Sequence, residues 1–455
     1  MLARSAKRLL CLCVCLVATT MLPDPAQAVS VGDRVVAATL ATVRGNASAS
    51  ASVTGTQPPG RLGTAVASRS SGSTQWWQVN FETGADGWVM ASQLAGAYFP
   101  PPESRGGWRS LVPHESTPSA AQKAEARAKG GVDWDKLQRA HQYSHGFAGD
   151  DAVLVIRNGY VVGDWGRRDA YGVASVSKSL TGLTMAKLFD LAAAGRIARG
   201  IRPDEEVHEL LPASWGAADA DRRKVKIWHL LTMTSGLAPD DMPNRPGYAD
   251  YILRQPMQHT PGTSWSYASL PVDLLSIAVQ RTTGRTLREL FNTHVAAPIG
   301  VPAVQWGTFG TYTGASSRAA LKARDLARLG YLVMMNGRWG TSGSQFSVIS
   351  AGRAHQLHEE CCATSAAFRK TANSPFPVHS TSPTHYGELW WTNRLHAGLG
   401  RSVPADAFYA HGYRETLLVV VPSLNLVVVR YGPKPVAMAS FRSEFMSRVM
   451  AAVIR

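Results

Sequence analysis

The chain has 455 residues, of which 45% are hydrophobic and 17% are charged, so a disordered protein is excluded and two domains are expected. Five cysteines over this length also exclude a small disulfide-stapled scaffold. The formal net charge of +15 first suggests a polyanionic partner, but the basic residues are scattered without a continuous run or a zinc-finger spacing. We therefore expect a solvated basic surface and no nucleic-acid partner.

Residues 1–28 have the pattern of a secretory signal peptide. A basic start precedes an apolar run from Leu9 to Leu22, and Ala26-Gln27-Ala28 supplies the small-x-small pattern that a signal peptidase accepts. The run is shorter than the roughly 20 residues that a membrane-spanning helix needs. We predict an exported protein, periplasmic or secreted, with no transmembrane segment in the mature chain.

Removal of this segment would leave Cys361 and Cys362 as the cysteines of the mature chain. Because they are adjacent, only a strained vicinal disulfide is open to them, and we expect two structural or idle thiols. Ligands crowded this tightly along a chain rarely converge on one metal ion. We therefore predict no metal site in the neighbouring string and no organic cofactor; the string comprises His355, His358, Glu359, Glu360 and the two cysteines.

Residues 29–96 consist of short strand-like pieces between Gly, Ser, Asn and Pro residues. The strings VGDRVVAA, TVRGNAS and WWQVNFETGADGWVMASQL resemble the bacterial SH3-type domain. This resemblance implies a small β-barrel that binds a cell-wall polymer in many exported proteins. The side chains of Trp76, Trp77 and Trp88 either line a binding groove or fill the core of the barrel.

A linker over 97–130, opened by Pro100-Pro101-Pro102, is predicted before one larger domain over 131–455. Asn158-Gly159 is a strong turn signal between two apolar runs. The expected fold is α+β, an antiparallel sheet flanked by helices with an all-helical subdomain. The predicted elements are a helix from Asp133, hairpin strands 152–157 and 160–165, a helix from Ser175 to Gly195, hairpin strands 416–421 and 426–430, and a helix over 441–454.

The string Ser175-Val176-Ser177-Lys178 contains a candidate nucleophile and a candidate general base. Residues three apart share one helix face, so a neutral lysine amine can take the proton of the Ser175 hydroxyl and make it a nucleophile. A helix N-terminus also stabilises a developing oxyanion. The alternative is a serine that merely caps a core helix. The Gly-x-Ser-x-Gly elbow of α/β-hydrolases does not occur in the sequence.

Five strings occur in the order and rough spacing of a known superfamily: ASVSKSLTG, HLLTMTSGL, PGTSWSYAS, YGELWW and AHGY. Over about residues 131–455 the chain resembles the β-lactamase-related serine hydrolases, which include class C β-lactamases, penicillin-binding DD-peptidases, esterases and 6-aminohexanoate-dimer hydrolases. The resemblance implies Ser175 as the acylated nucleophile, Lys178 as its general-base partner and Tyr267 as a proton relay.

The same resemblance places His411-Gly412 on the strand that lines the cleft, with a second oxyanion donor in the backbone near Tyr413 or Arg414. Ser269 replaces the usual Asn of the second motif, and the strand Lys that recognises a β-lactam carboxylate is missing. Tyr171 and Trp390 are candidate cleft residues, although Trp390 and Trp391 also fit an aromatic core.

These departures favour an esterase or amidase acting on a small-molecule ester or amide over a β-lactamase. Two alternatives remain open. One is a cell-wall D,D-peptidase or penicillin-binding protein, and the other is a catalytically impaired cell-wall-binding homologue.

Overall fold

The computed structural model describes residues 29–197, 201–238, 246–361, 369–370, 385–396, 398–432 and 440–454. The predicted signal peptide over 1–28 and Cys362 lie outside the described residues. Among the helices that are described, none combines the length and the apolarity needed to cross a bilayer.

An antiparallel sheet forms the N-terminal part of the described chain. Its seven strands are β1 (Arg34–Ala37), β2 (Ala41–Arg44), β3 (Val53–Gln57), β4 (Leu62–Ser71), β5 (Thr74–Phe81), β6 (Gly87–Met90) and β7 (Leu94–Gly96). Their order is β3-β2-β6-β5-β4-β1-β7, and within the described residues no pairing of β3 with β7 closes a barrel. Trp77 belongs to the apolar core of this sheet, whereas Trp76, its neighbour on β5, faces the other side and is buried as well. Trp88 is half-buried, so only this third Trp has an exposed surface to offer a ligand.

The N-terminal sheet is joined to the larger unit by buried polar contacts. The side-chain amide of Gln345 accepts from the backbone N–H of Arg34 at 2.9 Å and donates to its carbonyl at 3.1 Å. The Arg34 guanidinium, which is 1% exposed, donates to Glu82 within the sheet and to the carbonyl of Met334 in the larger unit. The sheet therefore sits in a defined position and is not a freely tethered module.

Replacing Gln345 with Ala is expected to lower the free energy of unfolding by about 2 kcal/mol, because it leaves two buried backbone groups of Arg34 unpaired. Thermal unfolding of both proteins, followed by calorimetry, measures this difference. Gln356→Ala, at an exposed position on a surface helix, is the matched control and should leave the transition unchanged. An unaltered transition in Gln345→Ala would contradict the importance of this contact.

The predicted linker over 97–130 is wrong as an extended spacer. Helix α1 (Ala120–Ala128) forms inside it, with a capping box made by Ser119 and Gln122. The Trp108 side chain is 2% exposed and packs edge-on against Tyr331 at a centroid distance of 5.1 Å. The apolar residues of the segment are buried against the larger unit, so the segment is part of the packed structure.

The central antiparallel sheet of the larger unit has six strands in the described residues, in the order Trp391–Thr392, Phe408–Gly412, Thr416–Val421, Leu426–Tyr431, Ala152–Arg157 and Tyr160–Gly166. Both of its predicted hairpins are confirmed, and Asn158 and Gly159 adopt the positive φ values (53° and 76°) of a tight hairpin turn. All strands described in the larger unit, in chain order, are β8 (Ala152–Arg157), β9 (Tyr160–Gly166), β10 (Tyr171–Gly172), β11 (Ser264–Trp265), β12 (Gln305–Trp306), β13 (Thr308–Phe309), β14 (Tyr312–Thr313), β15 (Ala319–Leu321), β16 (Arg338–Trp339), β17 (Phe346–Ser347), β18 (Arg369–Lys370), β19 (Trp391–Thr392), β20 (Phe408–Gly412), β21 (Thr416–Val421) and β22 (Leu426–Tyr431). The strands outside the central sheet form short sheets of two or three strands.

Helices cover both faces of this sheet, so its central strands are apolar on both sides. The helices that follow α1 are α2 (Trp134–Ala148), α3 (Val176–Ala193), α4 (Ala213–Ala217), α5 (Ile227–Leu231), α6 (Tyr248–Arg254), α7 (Leu270–Thr283), α8 (Leu287–Phe291), α9 (Ala323–Met334), α10 (Ala351–Gln356) and α11 (Phe441–Ala452). Helices α2 and α11 cover one face of the sheet, while α3 and α9 cover the other, which confirms the predicted α+β fold.

Candidate active site

Ser175 lies at the N-cap of α3, at the tight turn that connects β10 to this helix. The preceding residue, Ala174, has a φ of 48°, a left-handed conformation that L-residues adopt only under constraint. The Ser177 hydroxyl supplies part of that constraint, because it donates to the carbonyl of Ala174 at 2.7 Å and accepts from the N–H of Ala319 at 3.1 Å. The turn thus presents Ser175 at the positive end of the helix dipole.

The Lys178 amine contacts Ser175 and two other polar groups. It lies one turn into α3, is 1% exposed, and its Nζ donates to the Ser175 hydroxyl at 3.1 Å. The same Nζ donates to the Ser269 hydroxyl at 3.3 Å and to the carbonyl of Ser316 at 3.0 Å. These three oxygen partners hold the Lys178 amine at one position beside Ser175.

A buried carboxylate that sequence reasoning missed supports this arrangement. Asp273, on α7, accepts from both the backbone N–H and the hydroxyl of Ser316 at 2.8 Å, and from the Tyr248 hydroxyl at 3.1 Å. Burial raises the pKa of Asp273, although these hydrogen bonds and the nearby Lys178 act in the opposite direction. Asp273 therefore fixes the segment whose carbonyl oxygen receives Lys178.

Tyr267 lies near the lysine amine. The Nζ of Lys178 is 5.0 Å from the centroid of the Tyr267 ring, and this ring is 7% exposed. Trp391 packs against it at a centroid distance of 5.3 Å, and Tyr386 contacts it edge-on at 6.2 Å. The aromatic wall of the site is therefore made by Tyr267, Tyr386 and Trp391.

The backbone of β20 passes directly beside the turn that holds Ser175. A Cβ atom added to Gly412 would lie 2.5 Å from the carbonyl oxygen of Val173 and 3.2 Å from the backbone nitrogen of Ser175. Contacts of this length cannot hold a side chain, so the position requires glycine. The close approach places Gly412 directly beside the backbone nitrogen of Ser175.

The residues after β20 form a strained loop at this edge of the site. Arg414 and Glu415 both have left-handed backbones, with φ values of 65° and 54°. The buried guanidinium of Arg430 holds the loop by donating to the carbonyls of Arg414 at 2.6 Å and Glu415 at 3.1 Å. Tyr413 is 51% exposed, and the Arg414 side chain donates to the Tyr171 hydroxyl at 3.4 Å.

His411 points away from Ser175, because neighbouring residues of a strand face opposite sides of the sheet. Its Nε2 lies 3.3 Å from a carboxylate oxygen of Glu415, which also pairs with Arg442 at 3.0 Å. Burial lowers the pKa of His411, and Arg442 adds to the effect. Burial alone would raise the pKa of Glu415, but His411 and Arg442 hold it well below its usual range. The His411 side chain therefore supports the strand, and only its backbone borders the cleft.

The other predicted residues divide between the site and the core. Trp390 is fully buried against Phe408, so it has no surface to offer a substrate. Tyr171 is half-buried and stacks on Tyr431 at 5.7 Å. The Sγ of Cys361 lies 3.8 Å from the carbonyl oxygen of Thr232, and its backbone N–H donates to the carbonyl of Tyr386 at 3.0 Å.

Glu388, within the YGELWW string, is expected to make stability depend on pH. Burial raises the pKa of Glu388 to about 7. Between pH 4.5 and 7 the folded state holds a proton on Glu388 that the unfolded state has already released. The free energy of unfolding therefore has its full value below pH 4.5 with respect to this group, and it falls as the pH rises through 7. In Glu388→Gln the fall in melting temperature between pH 5 and 8 should be smaller than in the parent protein. Equal pH profiles would refute this prediction.

The family model of the β-lactamases matches residues 134–441, which are more than half of the chain and include Ser175, Lys178 and Tyr267. An uncharacterized protein of Alkalihalophilus pseudofirmus is 24% identical over 320 residues, which are 61% of this chain and 82% of that protein. Esterase EstB of Burkholderia gladioli is 31% identical over 151 residues, which are 29% of this chain and 37% of that esterase.

Solved structures share the fold at low sequence identity. A protein assigned as a β-lactamase from Bacteroides dorei has a TM-score of 0.56 at 17% identity, covering 71% of this chain and 100% of its own. A protein assigned as a 6-aminohexanoate-dimer hydrolase from Bacillus anthracis has a TM-score of 0.53 at 17% identity, covering 78% and 87%. With the family match over residues 134–441, the chain belongs to the β-lactamase family and is a serine hydrolase.

Proposed function

We propose that the protein hydrolyses a carboxylic ester or amide through an acyl-enzyme on Ser175. The observation that carries this proposal is the 3.1 Å contact between the Lys178 amine and the Ser175 hydroxyl, in a site where the amine is almost fully buried. A general base must lie within hydrogen-bond reach of the proton that it removes, and Lys178 does.

In the proposed reaction, the Ser175 oxygen attacks the substrate carbonyl while its proton passes to the neutral amine of Lys178. Tyr267, whose ring centroid lies 5.0 Å from that amine, relays the proton to the leaving alcohol or amine. Water then attacks the acyl-enzyme, and the same groups return the proton to Ser175. Ser269 keeps the amine in place through its 3.3 Å contact and takes the part of the usual Asn.

The negative charge of the tetrahedral intermediate needs two hydrogen-bond donors. We assign these to the backbone N–H of Ser175 and a backbone N–H of the loop from Tyr413 to Arg414, which Gly412 brings beside the nucleophile turn. Fixed donors of this kind contribute about 3 kcal/mol of transition-state stabilisation each.

The choice of ester or amide over β-lactam rests on the third motif. The strand position that carries a carboxylate-binding lysine in β-lactamases is His411, and its side chain faces Glu415 and Arg442 on the opposite side of the sheet. No charged side chain of this strand is therefore aimed into the cleft, among the residues described. The esterase relative supports the same choice.

We further propose that the protein is exported and that its N-terminal sheet is an SH3-like module for a cell-wall polymer. The signal-like residues 1–28 and the strings shared with that domain class support this. Pelleting of the protein with insoluble peptidoglycan tests it, and absence of binding would remove this part of the proposal. Since Trp76 and Trp77 are buried, a ligand would contact other residues, with half-buried Trp88 as the first to replace.

The catalytic proposal is tested with a fluorescent fluorophosphonate and with a panel of p-nitrophenyl esters and anilides. The parent protein should be labelled and should turn over at least one short-chain ester, whereas Ser175→Ala should do neither. Ser179→Ala, which changes another buried serine of α3, is the matched control and should retain labelling. Labelling that persists in Ser175→Ala would refute Ser175 as the nucleophile.

A cell-wall D,D-peptidase is the second candidate, because an N-terminal sheet that binds peptidoglycan would deliver the site to peptide stems. A higher kcat/KM for D-Ala-D-Ala peptides than for simple esters would favour it. A chain that takes up neither fluorophosphonate nor labelled penicillin would instead be the impaired wall-binding homologue.

A further inference from the structure

Two histidines and an aspartate converge outside the candidate active site. His141 and His145 lie one turn apart on α2, and Asp151 follows the end of that helix. The Nε2 of His141 and the Nδ1 of His145 lie 3.6 Å and 3.1 Å from the same carboxylate oxygen of Asp151. The three candidate ligand atoms all lie within 4.8 Å of one another.

These distances fit the first coordination sphere of a metal ion. Ligand atoms at about 2.0 Å from a tetrahedral Zn²⁺ ion stand about 3.3 Å apart, a value between the two observed separations. The spacing i, i+4 puts both imidazoles on one helix face, as a shared ion requires. His145 is 54% exposed, so water can occupy the positions that the protein leaves open.

The surroundings hold the three side chains in orientation. The ring of His141 is stacked on Trp165, with a centroid distance of 4.9 Å and an interplanar angle of 6°. The Ser144 hydroxyl donates to the second oxygen of Asp151 at 2.6 Å, and it accepts from the Nε of Arg430 at 3.0 Å. Partners of this kind keep a metal-binding carboxylate and imidazole in one geometry.

From this geometry we propose that His141, His145 and Asp151 bind a divalent transition-metal ion. Two imidazoles and one carboxylate favour Zn²⁺, Ni²⁺ or Cu²⁺ over Ca²⁺ and Mg²⁺, which prefer oxygen ligands alone. The site is separate from Ser175 and takes no part in the proposed hydrolysis.

The charges around the site are compatible with a cation. Asp151 is 1% exposed and supplies the negative charge of the site, while Asp150 is exposed at the neighbouring position. Arg430 approaches Asp151 only through Ser144, and Arg167 pairs with Asp150 and Asp169. Neither guanidinium contacts the shared carboxylate oxygen on which the two imidazoles converge.

The test is titration of the chelator-treated full chain with Zn²⁺ by calorimetry, together with the visible absorption of Co²⁺ as a report of imidazole ligation. One ion per chain is expected, and His145→Ala should weaken its binding by at least about tenfold and abolish the Co²⁺ band. Because His145 is half-exposed, this variant should fold; Asp151→Asn, which keeps the side-chain shape, should weaken binding as well.

His208→Ala is the matched control. Within the described residues, His208 forms a second group of side chains that could hold a metal ion, together with Glu206 and Glu209. Loss of His208 should leave the Zn²⁺ affinity of the proposed site unchanged. Binding that is lost in His208→Ala but kept in His145→Ala would overturn the proposal. Absence of Zn²⁺ binding by the parent chain would overturn it too, and would leave the contacts with Asp151 as hydrogen bonds only.

Discussion

Replacement of Lys178 by Met is expected to lower kcat/KM for the best ester substrate by about 10³ to 10⁴-fold. Methionine fills nearly the same volume in the buried position but can neither accept the proton of Ser175 nor donate to Ser269 and the carbonyl of Ser316. Steady-state kinetics on the purified variant measure the loss, and fluorophosphonate labelling should slow in parallel because attack by Ser175 is impaired.

Lys187→Met is the control for this substitution. Lys187 lies on the same helix and is partly buried, but it has no contact with the nucleophile turn, so its replacement should leave kcat/KM close to that of the parent. If Lys178→Met retained most of the activity while remaining folded by circular dichroism, the proton would have to leave Ser175 by another route. Tyr267 would then become the general base.

Gly412→Ala is expected to reduce kcat by about 10² to 10³-fold, as the loss of one oxyanion donor does in other hydrolases. The added methyl group would stand 2.5 Å from the carbonyl of Val173, so β20 has to move away from the turn that holds Ser175. Because the movement changes the oxyanion site and leaves Lys178 in place, kcat should fall much more than KM rises.

Gly352→Ala provides the comparison, since a Cβ at this exposed position on α10 meets nothing within 4 Å. It should leave both kinetic constants unchanged and should not lower the melting temperature. A Gly412→Ala enzyme with parental kcat would show that the amides after Gly412 do not serve as oxyanion donors.

The elements with strong local signals were predictable from the sequence. Asn158-Gly159 predicted the hairpin of β8 and β9, and Asp133 predicted the start of α2, where its carboxylate caps the helix. The position of Ser175 at the start of α3 followed from the apolar pattern of the helix, and the contact with Lys178 followed from the spacing of three residues.

Support from distant parts of the chain was not predictable in this way. Asp273 and Ser316 are 43 residues apart, and Ser316 is 138 residues from Lys178, so no periodicity connects them. The segment over 97–130 misled for another reason. Its proline and serine content is typical of a linker, yet Trp108 and its apolar neighbours bury more surface than a solvated spacer would.

Two further features, the orientation of His411 and the pairing of His141 with His145, follow from residue spacing once each residue is assigned to its strand or helix. Strand alternation requires that His411 and Gly412 face opposite sides, so a glycine packed against the nucleophile turn excludes the His411 side chain from the cleft. The spacing of His141 and His145 likewise puts two imidazoles on one face of α2.

The left-handed backbones of Arg414 and Glu415 have a consequence for how this site can evolve. A non-glycine residue in that conformation destabilises the folded state by on the order of 1 kcal/mol, and glycine would relieve this strain. Glycine also adds conformational entropy to the unfolded chain, which offsets part of the gain in stability. A mutation such as Arg414→Gly therefore alters the rim of the cleft with little change in stability. Most substitutions at an active site are opposed by their effect on folding, so this loop is where new substrate preferences are most accessible to selection.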